Sequence, residues 1–422
     1  MEFWSVIGIL AVVYVGFRFL TALGHRVPIL ELLLLIAGMQ WIIGPIIEYQ
    51  NTFTHFKYHM YIPEDIYVGY VVPAYLVLAL AMFYGIYKEP KLNIDEGLFQ
   101  RYSSAGVYIL LLGIAFGLLK RIMPDSLSFV FYLLENFKYV GALILLFSDK
   151  RWHRYLFYAA ILFLFIESIR SALFHDFILW STFFFMFWAY KVKPAIRTTL
   201  IIMVSGFLLA TGIQLVKADF RTLVWNGYSG NKLELFFDIL TRKISGGFTE
   251  DKEEQGEMNV RLNQGWIISA IMKYTPEKEP YAYGETVVDA VYASILPRFL
   301  IPGKEEAGGV ENFEKFTGLY LSSGTSMGMS VVGEAYANYG VFGGIVFMAI
   351  FGVVLILFWR LILKWVVREP LILFFIPLFW LQVVKAETEL VVVLNHMVKS
   401  LLLVFLFFWV CKNILNWHFS DE

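Results

Sequence analysis

Between Ser294 and Gly344 the chain gathers groups that can hold an anion and move a proton, in the run SILPRFLIPGK and then SSGTSMGMSVVGEAYANYGVFGG. Pro297 and Pro302 fix the backbone around Arg298 and Lys304, so these cations ride on a stiffened segment. An arginine grips a phosphate through two parallel hydrogen bonds, and a lysine adds a point charge. Simple contact with lipid headgroups is the plainer account of the same two residues. Thr325, Ser326 and Ser330 then supply hydroxyls where a long apolar run begins, and Thr325 or Ser326 suits the N-cap. A helix starting there aims its free N–H groups and positive dipole end at the same anion, although ordinary capping explains the hydroxyls equally well. Glu334, Tyr336 and Asn338 follow within three turns. A carboxylate entering a membrane is costly, so it has either a partner or a task. Glu334 is the first candidate for a general base.

A second cluster is Lys385-Ala-Glu387-Thr-Glu389, followed by Asn395, His396 and Lys399. Glu387 and His396 are the next candidates for the base, while an ion pair of Lys385 with Glu389, bracing a broken helix, is the alternative. Arg261, Asn263 and Gln264 in RLNQGW form a third polar patch. Arg170 and the Lys120–Arg121 pair can complete a basic rim. Glu135 and Lys138, three residues apart, read as a self-neutralising pair. The chain has no Walker motif, no GxGxxG, no HExxH and no Asp-x-Asp, so neither a metal nor a nucleotide cofactor is expected. Its one cysteine, Cys411, rules out an internal disulfide, and a net charge of −1 gives no reason to expect nucleic acid.

The elements that must position these groups are membrane helices. Of 422 residues, 59% are hydrophobic, 18% aromatic and only 16% charged, too little charge to cover a soluble surface of this size. Long uncharged runs predict eleven spans, near 3–23, 27–47, 66–87, 103–119, 127–147, 154–169, 172–190, 196–216, 331–359, 370–384 and 390–411. The sixth and tenth are short enough to break or to cross only part of the way. Met1–Leu23 is too long and aromatic for a cleaved signal and reads as the first span. Lysines and arginines in short loops mark the cytoplasmic side. Arg26, the Lys88–Arg101 and Lys150–Arg154 groups, the Lys191–Arg197 and Arg360–Arg368 groups and Lys412 outnumber Lys57, Lys120, Arg121, Arg170 and Lys385 opposite. The N-terminus is therefore expected outside and the C-terminus in the cytoplasm. Three regions follow: membrane helices over 1–216, an extracytoplasmic helical loop over 217–330, and further membrane helices over 331–422. In the loop, Leu233, Phe236, Phe237 and Leu240 share a helical face suited to lying on the bilayer. Helices are also expected over 258–273 and 284–296, and the acidic run Glu250–Glu257 reads as a solvated face.

The order RLNQGW, then PYAYGETVVDAVYASILPRFLIPGK, then TGLYLSSGTSMGMSVVGEAYANYGVFGG resembles the O-antigen polymerases (Wzy-type) and related exopolysaccharide polymerases over about residues 258–345. The resemblance implies an all-helical, GT-C-like membrane glycosyltransferase of the bacterial inner membrane. It implies polymerisation of undecaprenyl-pyrophosphate-linked oligosaccharide repeat units, with inversion at the anomeric carbon and no metal, for O-antigen, capsule or exopolysaccharide. The lipid-linked oligosaccharide and the bilayer would be its partners, with a chain-length regulator protein and a flippase beside it. On this reading Arg298, Lys304 and Arg261 hold the pyrophosphate, and Thr325, Ser326, Tyr336, Asn338, Lys385 and Arg170 complete the substrate site. The sequence departs from the related ligases, which use a loop histidine, because its own long loop has none. A ligase-like glycan transferase is the near alternative, and a transporter or flippase of the same lipid is the distant one. Paired broken helices in two related halves, which a transporter would show, are not visible.

Overall fold

A computed structural model describes residues 2–51, 58–87, 96–245, 262–295, 310–321, 327–417 and 419, and every regular element among them is helical. The helices are α1 (Phe3–Ala22), α2 (Ile29–Gln50, with a π-helical turn at Met39–Ile43), α3 (Glu64–Tyr87), α4 (Ser103–Leu119) and α5 (Ser128–Leu146). There follow α6 (Arg151–Ser171), α7 (His175–Val192), α8 (Ile196–Trp225), α9 (Lys232–Ser245), α10 (Gly265–Tyr274), α11 (Glu285–Ile295) and α12 (Val310–Thr317). The chain ends on α13 (Ser330–Arg368), α14 (Ile376–Trp380) and α15 (Leu390–Asn413). Among the described residues, 8 helices are long and apolar enough to cross a membrane: α1 to α5, α8, α13 and α15.

Three of the eleven expected spans differ from those eight. Helices α6 and α7 form where expected but are too polar to count among them, α6 because Arg151, Arg154, Glu167 and Arg170 dilute its apolar run. The stretch expected to span at 370–384 breaks into a 3-10 turn, Pro370–Phe375, and the short α14. Pro370 and Pro377 lack the N–H that a continuous ladder needs. All residues from Leu371 to Leu381 are buried, so this piece is enclosed by other helices and does not face lipid. The expected boundary at Val216 also gives way, since α8 runs on to Trp225. Val216, Phe220 and Val224, four residues apart, are buried along one face and keep that last stretch packed.

Small residues set the tightest crossings, as they do where lipid supplies no hydrophobic drive between helices. A Cβ at Gly344 of α13 would come within 2.7 Å of the Tyr70 hydroxyl on α3, and one at Gly352 within 2.8 Å of Ala81. Gly340 has a different role: with φ 65° it breaks α13 just past its first turns. The break leaves carbonyls without helical donors, and the chain before α11 supplies them, Ala282 N–H to Ala337 O at 3.0 Å and Tyr283 N–H to Asn338 O at 3.1 Å. Glu135 and Lys138 pair at 2.8 Å, and Glu167 (3.2 Å) and Lys120 (3.2 Å) extend the pair into a network. The expected lipid-facing side of α9 is divided. Phe236 is buried against Phe174 (5.5 Å) and Phe220 (5.6 Å), while Leu233 and Phe237 stay exposed. The aromatic partners on α8 and before α7 draw the helix onto the bundle.

Candidate functional site

The residues that converge on the main cavity come from seven separate stretches of chain. The cavity measures about 670 Å³ and is lined by His175 at the start of α7, Lys217 and Arg221 near the end of α8, Gln264, and the turn carrying Lys385 and Glu387. In the sequence-based topology, each of these stretches belongs to the outer side.

Helix α2 holds two of the walls. Its π turn frees the Gln40 carbonyl from the helical ladder, and the Gln264 N–H donates to it at 3.0 Å. One residue on, the Trp41 indole N–H donates to the Ala386 carbonyl at 3.1 Å, and the Tyr67 hydroxyl donates to the Trp41 carbonyl at 2.8 Å. Gly44 lets the backbone in, since a side chain there would strike the Leu262 carbonyl. On the opposite wall the Thr388 hydroxyl donates to the Lys385 carbonyl at 2.7 Å and fixes the turn that presents Glu387.

Charges alternate around the cavity. Glu387, 39% exposed, accepts from the Gln264 side-chain amide at 3.4 Å and lies 3.6 Å from His175 Nδ1. Lys385, 11% exposed, lies 3.7 Å from Asp176. Burial pulls its ammonium below the usual lysine range, while Asp176 and Glu387 act in the opposite sense. Arg221 donates through Nε to the Ala172 carbonyl at 2.9 Å and lies over the Trp225 ring at 4.9 Å. Three polar atoms on lining residues are buried without a hydrogen-bond partner among the described residues: Gln40 Oε1, Gln264 Oε1 and His175 Nε2. Buried polar atoms are nearly always paired, because leaving one unmade costs about 1–3 kcal/mol. Their clustering at one cavity marks a place where an incoming ligand can satisfy them. Among the described residues, no three His, Cys, Asp or Glu side chains gather as metal ligands.

The candidates named from sequence divide sharply. Lys385 and Glu387 line the cavity, with Gln264 between the π turn and Glu387. Lys385 pairs with Asp176 and not with Glu389 as the sequence spacing allowed, because α7 brings Asp176 to it. Glu334 does not line the cavity. Its two carboxylate oxygens accept from the Thr286 hydroxyl (2.7 Å) and the Leu390 N–H (2.8 Å), tying α13 to α11 and to the start of α15. Asn338 belongs to the same knot, donating to Thr286 Oγ1 (2.7 Å) and the Glu334 carbonyl (2.9 Å). Tyr336 is buried edge-on between Tyr70 (5.2 Å) and Tyr281 (6.1 Å). His396 is fully buried, 2.7 Å from the Leu378 carbonyl, and Arg170 is exposed away from the lining. Arg261, Arg298, Lys304, Thr325 and Ser326, with the Glu250–Glu257 run, lie outside the described residues.

His175, Lys217 and Arg221 were not singled out from sequence. Lys217 and Arg221 did carry a signal, being four residues apart and so on one face of a continuing helix, but the break assumed at Val216 concealed it. His175 and Asp176 open an apolar helix behind a short turn, a position where polar residues commonly do no more than end a span. Set against known proteins, the chain matches no family model, no curated protein and no solved structure.

Proposed function

We propose that this chain is a membrane glycosyltransferase that polymerises undecaprenyl-pyrophosphate-linked repeat units at the outer face of the bacterial inner membrane. The observation that carries the reading is the cavity's composition: the cations Lys217, Arg221 and Lys385 share it with a half-exposed carboxylate, Glu387, and with three polar atoms unpaired among the described residues. Such a site suits a ligand that is anionic at one end and rich in hydroxyls at the other. The sequence resemblance over 258–345 supports the same class. The finer topology belongs to this proposal: eleven crossings in a GT-C-like arrangement, with α6, α7 and the broken 370–384 stretch counted, the N-terminus outside and the C-terminus in the cytoplasm.

In this reaction an acceptor hydroxyl attacks the anomeric carbon of the growing chain. The new carbon–oxygen bond forms as the bond to the lipid diphosphate breaks, and the diphosphate leaves with the electron pair. Fixed cations stabilise that developing charge. Lys217, Arg221 and Lys385 fill this role, joined by Arg298, Lys304 and Arg261 from the flanking loop segments. Glu387 accepts the hydroxyl proton, with Gln264 orienting it. This assignment moves the base from Glu334, whose oxygens are both engaged, to Glu387. The deciding experiment incubates purified protein in liposomes with the lipid-linked repeat unit and reads chain length on a gel. A ladder from wild type that is lost with Arg298→Ala and Glu387→Gln supports the reading. A single transfer to a different acceptor would identify a ligase, and uptake without transfer a flippase.

A further inference from the structure

A second, smaller concavity lies apart from the main cavity, between α8 and α9. It measures about 470 Å³ and is lined by Asp219, Thr222 and Leu223 of α8 and by Ile239, Arg242 and Lys243 of α9. Its polar groups have an uneven charge pattern: two cations from one helix face one carboxylate from the other. Lys243 Nζ lies 3.5 Å from Asp219 Oδ2, with side chains 26% and 54% exposed. Arg242 is exposed and makes a long 3.5 Å hydrogen bond to its own helix at Asp238 O. An exposed pair of this kind is weak in water and exchanges readily with a ligand bearing both charges.

The face of α8 below this groove indicates what kind of molecule would reach it. Ile201 (66% exposed), Val204 (57%) and Leu208 (62%) fall on the same side of the helix as Asp219 and Thr222, by the 3.6-residue repeat. Only 18% of the most apolar stretch of this helix is buried, the lowest share among the candidate spans. Leu208 precedes Asp219 by eleven residues, about 16 Å along the axis, which is close to the depth of one hydrocarbon leaflet. A phospholipid seated at this small site of two cations and one anion would therefore extend its acyl chains down α8 to about Leu208, where the exposed apolar face of Ile201, Val204 and Leu208 is met.

From this we infer that the α8–α9 groove binds the headgroup of a zwitterionic phospholipid bearing a primary ammonium, with its acyl chains on the exposed face of α8. Arg242 and Lys243 take the phosphodiester, with the Thr222 hydroxyl beside them, and Asp219 takes the ammonium. A purely anionic lipid would meet Asp219 as a repulsive neighbour. A quaternary ammonium cannot donate the hydrogen bonds that a carboxylate accepts. The inference does not depend on the glycosyltransferase reading.

The test is native mass spectrometry of the delipidated full-length protein, titrated separately with phosphatidylethanolamine, phosphatidylcholine, phosphatidylglycerol and inorganic phosphate. Phosphatidylethanolamine is expected to bind about tenfold more tightly than the other two lipids, and inorganic phosphate not measurably. Asp219→Asn should erase the preference over phosphatidylglycerol, and Arg242→Gln with Lys243→Gln should weaken phosphatidylethanolamine by about tenfold or more. Thermal melts of each variant verify folding, and Arg242→Lys, which keeps the charge, should retain most of the binding. Equal binding of all three lipids overturns the proposal, as does an unchanged preference in Asp219→Asn. Competition by inorganic phosphate at the same affinity would overturn it too, by making the groove a site for free phosphate.

Discussion

Two polar regions of this chain look alike in sequence and opposite in three dimensions. The Glu334–Asn338–Thr286 knot and the Lys385–Glu387–His175 cavity each place charged or amide groups among apolar helices. In the knot every polar atom described has a partner: hydroxyl, amide and backbone N–H converge on Glu334 and Asn338 at 2.7–3.0 Å. In the cavity the side-chain pairs of Glu387 and Lys385 are longer, at 3.4–3.7 Å, and three side-chain atoms have no partner among the described residues. A satisfied polar group has already spent its capacity on holding helices together. An unsatisfied one at a cavity still has interactions to give to a substrate.

Several substitutions can break or sharpen that contrast. The largest effect is expected for Glu387→Gln, which should cut glycan transfer by about a hundredfold or more if Glu387 is the proton acceptor, with little change in melting temperature. A normal rate in that variant would remove the cavity from the chemistry. Glu334→Ala should do the converse: leaving the Leu390 N–H and the Thr286 hydroxyl without their acceptor costs about 1–3 kcal/mol of stability. Activity per folded molecule should hold, and a selective loss of rate would return Glu334 to the list of bases. Gly340→Ala forces a side chain into the left-handed region and should cost about 1–2 kcal/mol, read as a lower melting temperature. The smallest effect concerns pH. Lys385 titrates below the ordinary lysine range, so its charge disappears as pH rises through that lowered value. Affinity for the diphosphate lipid should then fall by about tenfold, and Lys385→Arg, which stays charged, should hold its affinity to higher pH.

The membrane-helical class could be read from the sequence because apolar runs of sufficient length have few other uses. Much of the helix placement followed from the same signal. What it does not carry is which side of each run meets protein. Thus α8 continuing past Val216, and α9 docking through Phe236, depend on aromatic partners far away in the chain. The site was partly visible: Lys385 and Glu387 stood out as costly charges between two apolar runs. Glu334 stood out for the same reason, and no local pattern could reveal that Thr286 and the Leu390 N–H were waiting for it. His175 and Arg221 matter only through convergence, which spacing along one chain does not encode.

The enclosed stretch Pro370–Trp380 bears on how the molecule is made. Eleven residues of helix extend only about 16 Å, roughly half a bilayer's hydrocarbon, and proline interrupts even that length. On leaving the translocon such a piece has no stable residence in lipid of its own. It must wait beside earlier helices until α15 has been synthesised and closes over it. Biogenesis should therefore be limited by the arrival of the last span, and truncation before Leu390 should yield a protein that inserts yet is rapidly degraded.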